Sequence, residues 1–380
     1  MMYRLISYPF NVAVALSLGL LLSLLNLSYF YKEVKSDEIT QIALVILVYL
    51  IAGLFINRRR PALQWSMSLS LLYKPFIFIG ALGFSIEFYL YGAPIFLSTG
   101  REDYSGIPVM HVVFYSCSIM AVLFSALYSS KRALALSVIT SFVMAALLLS
   151  RQMMMISFAI IIISIVTRYK INKKLVFRTL LAAAVVIVLF GIAGNVRQQI
   201  AGDYVDDYII EVGGANNDGV AIGQTLYWIW LYIASPVYNL ILNLADYDRF
   251  GQSCNAAVAF GTCHGDYLLS VVIPNTISKY LGADEFFIDM VMAHLNAGTA
   301  FSAAARTLGL PGVILQAGLQ ILFFMIGYAM TSKKLRPAFV VYFSTLSVFM
   351  IFDNLFIKGE FFFGFVLIIL AGCIHKNKAA

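Results

Sequence analysis

An all-α polytopic membrane protein is what three observations predict: the composition, the recurrence of long apolar runs, and the sorting of charge between alternate connections. Of 380 residues, 61% are hydrophobic and 12% charged, and the mean hydropathy is +0.87. Soluble domains carry about 25% charged residues, so a water-soluble globular chain is excluded. The 22 Tyr and 30 Phe suit rings that sit at membrane–water interfaces. A net charge of +7 would suit nucleic acid as a partner. The basic residues, however, are distributed among short connections rather than gathered on one face, which excludes that partner.

An apolar run of about 17 to 22 residues can cross a bilayer core of about 30 Å. About ten such transmembrane helices are predicted, near 9–28, 41–57, 64–86, 107–128, 133–149, 153–167, 175–194, 309–330, 339–357 and 361–375. No small-residue cleavage site follows the first run, so it reads as a retained helix rather than a signal peptide. The clusters Arg58-Arg59-Arg60, Lys131-Arg132, Arg168 to Lys174, Lys333-Lys334-Arg336 and Lys376/Lys378 fall at every second connection. Placing them in the cytoplasm sets both termini inside. All 19 Asp and Glu then lie outside, or at the outer end of a span, as Asp353 does. The predicted division is seven helices in 1–194, a large outer loop in 195–305, and three helices in 306–380.

The fifth and sixth spans form a short hairpin with Arg151-Gln152 at its bend, which puts Arg151 at the outer interface. Lys74 falls inside the third span and reads as a lysine snorkelling to an interface. Within the outer loop, residues 222–246 are apolar enough to touch the bilayer. The segment that follows, 246–266, holds one Arg and three Asp and does not look cytoplasmic. The apolar stretch is therefore expected to be a re-entrant or surface-lying amphipathic helix, broken near Ser235-Pro236. Cys254 and Cys263, set among glycines in an oxidising compartment, are expected to pair and order this loop. Cys117 and Cys373 lie in spans as packing residues.

Phosphate-binding glycine loops, HExxH and GxSxG are absent, and no Cys/His spacing matches a zinc site. Asp246-Tyr-Asp248 has the spacing of a nucleotide-sugar DxD, but so common a pattern reads better as solvated loop. What remains is a set of cations and one histidine at the outer level: Arg151, Arg197, His294 and Arg306. A guanidinium keeps its charge and matches phosphate oxygens with a planar fork. Several at one interface point to an anionic lipid headgroup or a pyrophosphate, although each alone would serve as an interfacial anchor. His294 lies in MAHLNAGTAF, beside Asn296 and Gly298, and histidine can carry a proton near neutrality.

The many spans, the arginine at a short outer hairpin, the long late outer loop, YIASPVYNL and HLNAGTAFSAAARTLGLPGV together resemble the Wzy-type O-antigen and oligosaccharide repeat-unit polymerases. The related O-antigen ligases share the last of these segments in outline. The resemblance implies a GT-C-like helical fold in the bacterial inner membrane, with its active site facing the periplasm. It implies inverting glycosyl transfer that needs no metal and no cofactor. The partners it implies are undecaprenyl-pyrophosphate-linked oligosaccharides, membrane lipids and a chain-length regulator protein. Arg151 and Arg197 would neutralise the departing pyrophosphate. His294 would take the acceptor proton or hold a phosphate oxygen. Asn296, Asp206, Asp207 and Asp218 would contact substrate, and Arg306 would be a third phosphate contact or a helix-start anchor. A ligase differs only in its acceptor. A transporter of lipid-linked glycans would be expected to place polar residues near the midplane instead, and an acyltransferase to carry a histidine ahead of His111.

Overall fold

The computed structural model describes residues 6–59, 69–97, 104, 106–168, 208–245, 263–282, 288–292 and 297–377, with positions 177, 181, 184 and 188. Among these residues there is no strand, only an isolated bridge between Ser28 and Ala215. Ten long helices carry the architecture: α1 (Phe10–Ser23), α2 (Ser36–Arg59), α3 (Tyr73–Tyr91), α4 (Met110–Tyr128), α5 (Lys131–Leu147), α6 (Arg151–Arg168), α7 (Gln224–Ala245), α8 (Ser302–Met330), α9 (Arg336–Val348) and α10 (Gly359–Asn377). These are not the ten predicted runs. The predicted seventh span falls largely outside the described residues, where positions 177, 181, 184 and 188 alone are described, all helical and exposed. The seventh long helix among the described residues is α7, which had been expected to break.

Six of the helices are long and apolar enough to cross a membrane by length and composition: α2, α3, α4, α6, α7 and α8. The ends of α1 and α9 show why the apolar runs exceed the helices. The 14 residues of α1 rise only about 21 Å. Its last residue, Ser23, bonds back to Leu20 O at 2.8 Å, and Asn26 turns the chain with φ 46°. α9 tightens into a 3-10 turn over Phe349–Ile351, where Met350 O accepts the Ala300 amide at 2.7 Å. Both chains leave the helix to make tertiary contacts.

The basic connections meet at one end of the bundle. Tyr128 at the foot of α4 donates to Lys334 O at 3.0 Å, and Arg168 at the end of α6 reaches Ala126 O at 3.4 Å. Ser129 Oγ bonds Ser70 O at 2.6 Å just ahead of α3. Lys74 stands exposed in the first turn of α3; it lies at this end rather than within a span, as a snorkelling lysine should. At the opposite end Ser116 of α4 bonds Glu360 O, Lys358 pairs with Asp353, and the Asn275 amide bonds Ile357 O at 2.7 Å. Charge sorting read from sequence thus coincides with the two ends of one helical bundle.

The core is aromatic and continuous. Tyr8, Phe324, Phe339, Phe343 and Phe365 pack ring to ring at centroid distances between 4.5 and 5.8 Å. Such pairs contribute about 0.5–1.5 kcal/mol each beyond area burial. Val237, Leu240, Tyr267 and Val271, from the predicted outer loop, belong to the same buried cluster as the spans. The 195–305 segment therefore shares the bundle's core.

Candidate functional site

The acidic end is roofed by α7. It is a continuous helix through Pro236, not the broken one expected from Ser235-Pro236. Thirteen of its residues are buried on two sides, and packing of this extent outweighs the hydrogen bond a proline removes. Its polar side chains say where it lies. Tyr227 donates to Gly213 O at 2.7 Å, Trp230 Nε1 to Leu22 O at 2.7 Å, and Tyr238 to Ser23 O. All three partners sit at or beyond the C-terminal end of α1. Length and apolarity would let α7 span a membrane; these contacts tie its N-terminal part to the C-terminal end of α1, while Val237 packs against Gly19 farther along that helix.

Two asparagines one turn apart on α7 build the most ordered part of the site. Asn239 Oδ1 accepts from the Val291 amide at 2.9 Å, while its Nδ2 donates to Ala297 O at 2.8 Å. One buried amide thereby ties both flanks of the short stretch that carries His294 and Asn296. Asn243 Oδ1 accepts from the Asp289 amide at 3.0 Å, and its Nδ2 donates to Asp289 O at 2.7 Å. Asn239 and Asn243 are 1% and 0% exposed. A buried amide is costly unless bonded, and these two bond backbone that no regular element would satisfy. Sequence reasoning missed both. The only available signal was a pair of asparagines at helical spacing in an otherwise apolar helix, which reads equally well as core.

From this clamp the chain passes to α8. Arg306 forms an ion pair with Asp289 at 2.6 Å, the two side chains being 17% and 41% exposed. This favours the anchoring role for Arg306; a phosphate contact would share its guanidinium with Asp289. Ala300 O accepts from the buried amide of Gln316 at 2.9 Å. The helix then kinks at Gly309, whose φ of 61° only glycine tolerates readily. At Gly298 the missing side chain makes room for Ile288, into whose Cδ1 a Cβ would run. The glycine closes the loop on itself.

Arg151 stands exposed at the first position of α6, after a three-residue turn. The buried Ser150 before it accepts the Met153 amide at 3.4 Å and meets Tyr115 at 3.3 Å, so α4 fixes where Arg151 emerges. Asp218 is exposed on the short helix Asn217–Ala221, which Asn216 caps through the Gly219 amide at 2.9 Å. Asn216 also bonds Asn26 O at 2.7 Å, so Asp218 belongs to the lid over the end of α1. Arg197, Asp206, Asp207, His294 and Asn296 lie outside the described residues, as do Asp246 and Asp248. Cys263 is disulfide-bonded and Cys117 and Cys373 are free; Cys254 lies outside the described residues. Among the described residues no cluster of His, Cys, Asp and Glu could hold a metal.

Arg151, the clamped residues Asp289, Val291 and Ala297, and Arg306 therefore occupy one end of the bundle. No protein-family profile, curated protein or solved structure matches this chain.

Proposed function

We propose that the chain is a membrane-embedded glycosyltransferase that extends a glycan carried on a lipid pyrophosphate, as a repeat-unit polymerase of the Wzy type does, at the outer face of the bacterial inner membrane. The observation that carries this reading is the clamp of Asn239 on Val291 and Ala297. It fixes the flanks of the histidine-bearing stretch at the bundle end where Arg151 emerges. A lipid-borne headgroup would enter there from the membrane side and a sugar from the aqueous side.

In this reading a hydroxyl of the incoming repeat unit attacks the anomeric carbon of the growing chain. The bond to the pyrophosphate oxygen breaks, and the electron pair leaves with undecaprenyl pyrophosphate. Arg151 and Arg197 bind the oxygens on which charge accumulates. His294 takes the acceptor proton or holds a phosphate oxygen. Asn296, Asp206, Asp207 and Asp218 contact sugar hydroxyls. The energy resides in the pyrophosphate leaving group, so neither nucleotide nor metal enters the step.

The surface glycan of a strain lacking this gene tests the reading. Single-repeat caps are expected. Unattached polymer would make the chain a ligase, and an unchanged glycan would overturn glycan transfer altogether.

A further inference from the structure

A second histidine, far from His294 in sequence, is held as a proton acceptor is held. Glu87 of α3 is fully buried. Its Oε1 accepts the Ile107 amide at 2.9 Å; its Oε2 accepts the Tyr104 hydroxyl at 3.0 Å and meets His111 Nδ1 at 2.9 Å. A buried polar side chain is costly unless bonded, and here three partners converge on this one. Against such an acceptor Nδ1 must carry the hydrogen, which leaves the lone pair of the neutral ring on Nε2. Among the described residues nothing bonds Nε2, and the His111 side chain is 24% exposed.

The surroundings are built for this arrangement. Gly106, at φ 64°, approaches so closely that a Cβ would lie 2.9 Å from His111 Nδ1 and 3.0 Å from Glu87 Oε1. Val109, two residues before His111, has φ 66°, a conformation that a β-branched residue adopts only under constraint. Phe84, Tyr104 and Tyr115 surround the imidazole with ring centroids 5.6 to 6.2 Å away. Tyr115 in turn meets Ser150, the residue before Arg151. Burial and the Glu87 charge both raise the Tyr104 hydroxyl above its ordinary range, so it stays protonated and donating.

We propose that His111 Nε2 accepts the proton of the acceptor sugar's hydroxyl, with Glu87 as its positioning partner. The assignment rests on the glycan-transfer reading and deepens it. As the hydroxyl oxygen bonds to the anomeric carbon, its proton passes to Nε2 and the electron pair of the breaking bond leaves on pyrophosphate. Glu87 balances the imidazolium so formed and fixes the ring's orientation. His294 is then left with the phosphate oxygen. Among the described residues, the charged and titratable groups facing the dyad are Tyr104 from the loop and Tyr115 from α4; Arg151 and Glu360 stand beyond them at the starts of α6 and α10.

The test uses the purified full chain in lipid vesicles, with lipid-linked repeat units extracted from a strain lacking the gene, and follows rate against pH. The wild-type rate should fall as the pH is lowered, because only the neutral ring accepts a proton at Nε2. His111→Gln should be slower by about 10²–10⁴ and should lose that acid limb. Glu87→Gln should be slower with a displaced limb, which a merely structural loss would not produce. His294→Gln should keep the limb. A His111→Gln chain with normal rate and an intact limb would overturn the assignment alone. So would a wild-type rate that does not fall in acid, whatever the variants do. A wild-type chain that transfers no sugar would remove the transfer reading, and this assignment with it.

Discussion

α4 and α7 are alike in length, apolarity and burial. Both are apolar, both are long enough to cross a membrane, and 78% and 72% of their apolar windows are buried. Their partners differ. α4 bonds Glu360 O near one end and Lys334 O near the other, so it runs between the acidic and basic ends. The bonds of Tyr227, Trp230, Tyr238, Asn239 and Asn243 on α7 all reach segments at the acidic end. Length and apolarity measure how much surface a helix must hide; the polar residues set its direction. The bonds of α4 fix its two ends, whereas those of α7 tie it to the C-terminal end of α1 and to the backbone at Asp289, Val291 and Ala297.

The largest effect expected from breaking this arrangement falls on the arginines. Arg151→Lys and Arg197→Lys keep the charge but lose the two-pronged donor, and each should slow polymerisation by about 10²–10³. The glycan ladder at matched protein levels reports it, with Lys279→Ala as an exposed control at the same end. A normal ladder from both would make them anchors. Next comes the clamp. Asn239→Ala leaves the Val291 amide and Ala297 carbonyl without partners, at a cost of about 1–3 kcal/mol for each group. A lowered melting temperature in detergent, with the ladder shortened, is expected. Equal stability would mean that water replaces the amide. Gly298→Ala should cost about 1–3 kcal/mol by overpacking against Ile288. The double change with Ile288→Ala should recover most of it, and failure of that rescue would assign Gly298 a role toward substrate instead.

Charge carried most of what the sequence made legible. The alternation of basic connections anticipated that Lys334 would meet the foot of α4 and that Arg168 would lie beside it. The acids likewise marked the end at which Arg151 and Arg306 both appear. Apolar runs were less informative, because Ser23, Asn26 and Met350 end helices for reasons of tertiary contact that hydropathy does not register. Pro236 was misleading, since burial on both sides of α7 overrides its local preference. The Glu87–His111 pair was invisible for a different reason. The two are 24 residues apart, on separate helices, and meet only because Gly106 lets the intervening loop fold between them. Arg306 looked free for phosphate until Asp289, 17 residues earlier, appeared beside it.

The roof is the feature on which the site depends, and the sidedness of α7 tests it most directly. Asp218 precedes the helix and Tyr280 follows it, and both are exposed. With cysteine placed at either position and the parent chain as background, an impermeant thiol reagent added to intact spheroplasts should label both. Labelling of Asp218→Cys from outside, with Tyr280→Cys reached only after the membrane is opened, would mean that α7 crosses and that no roof covers the site.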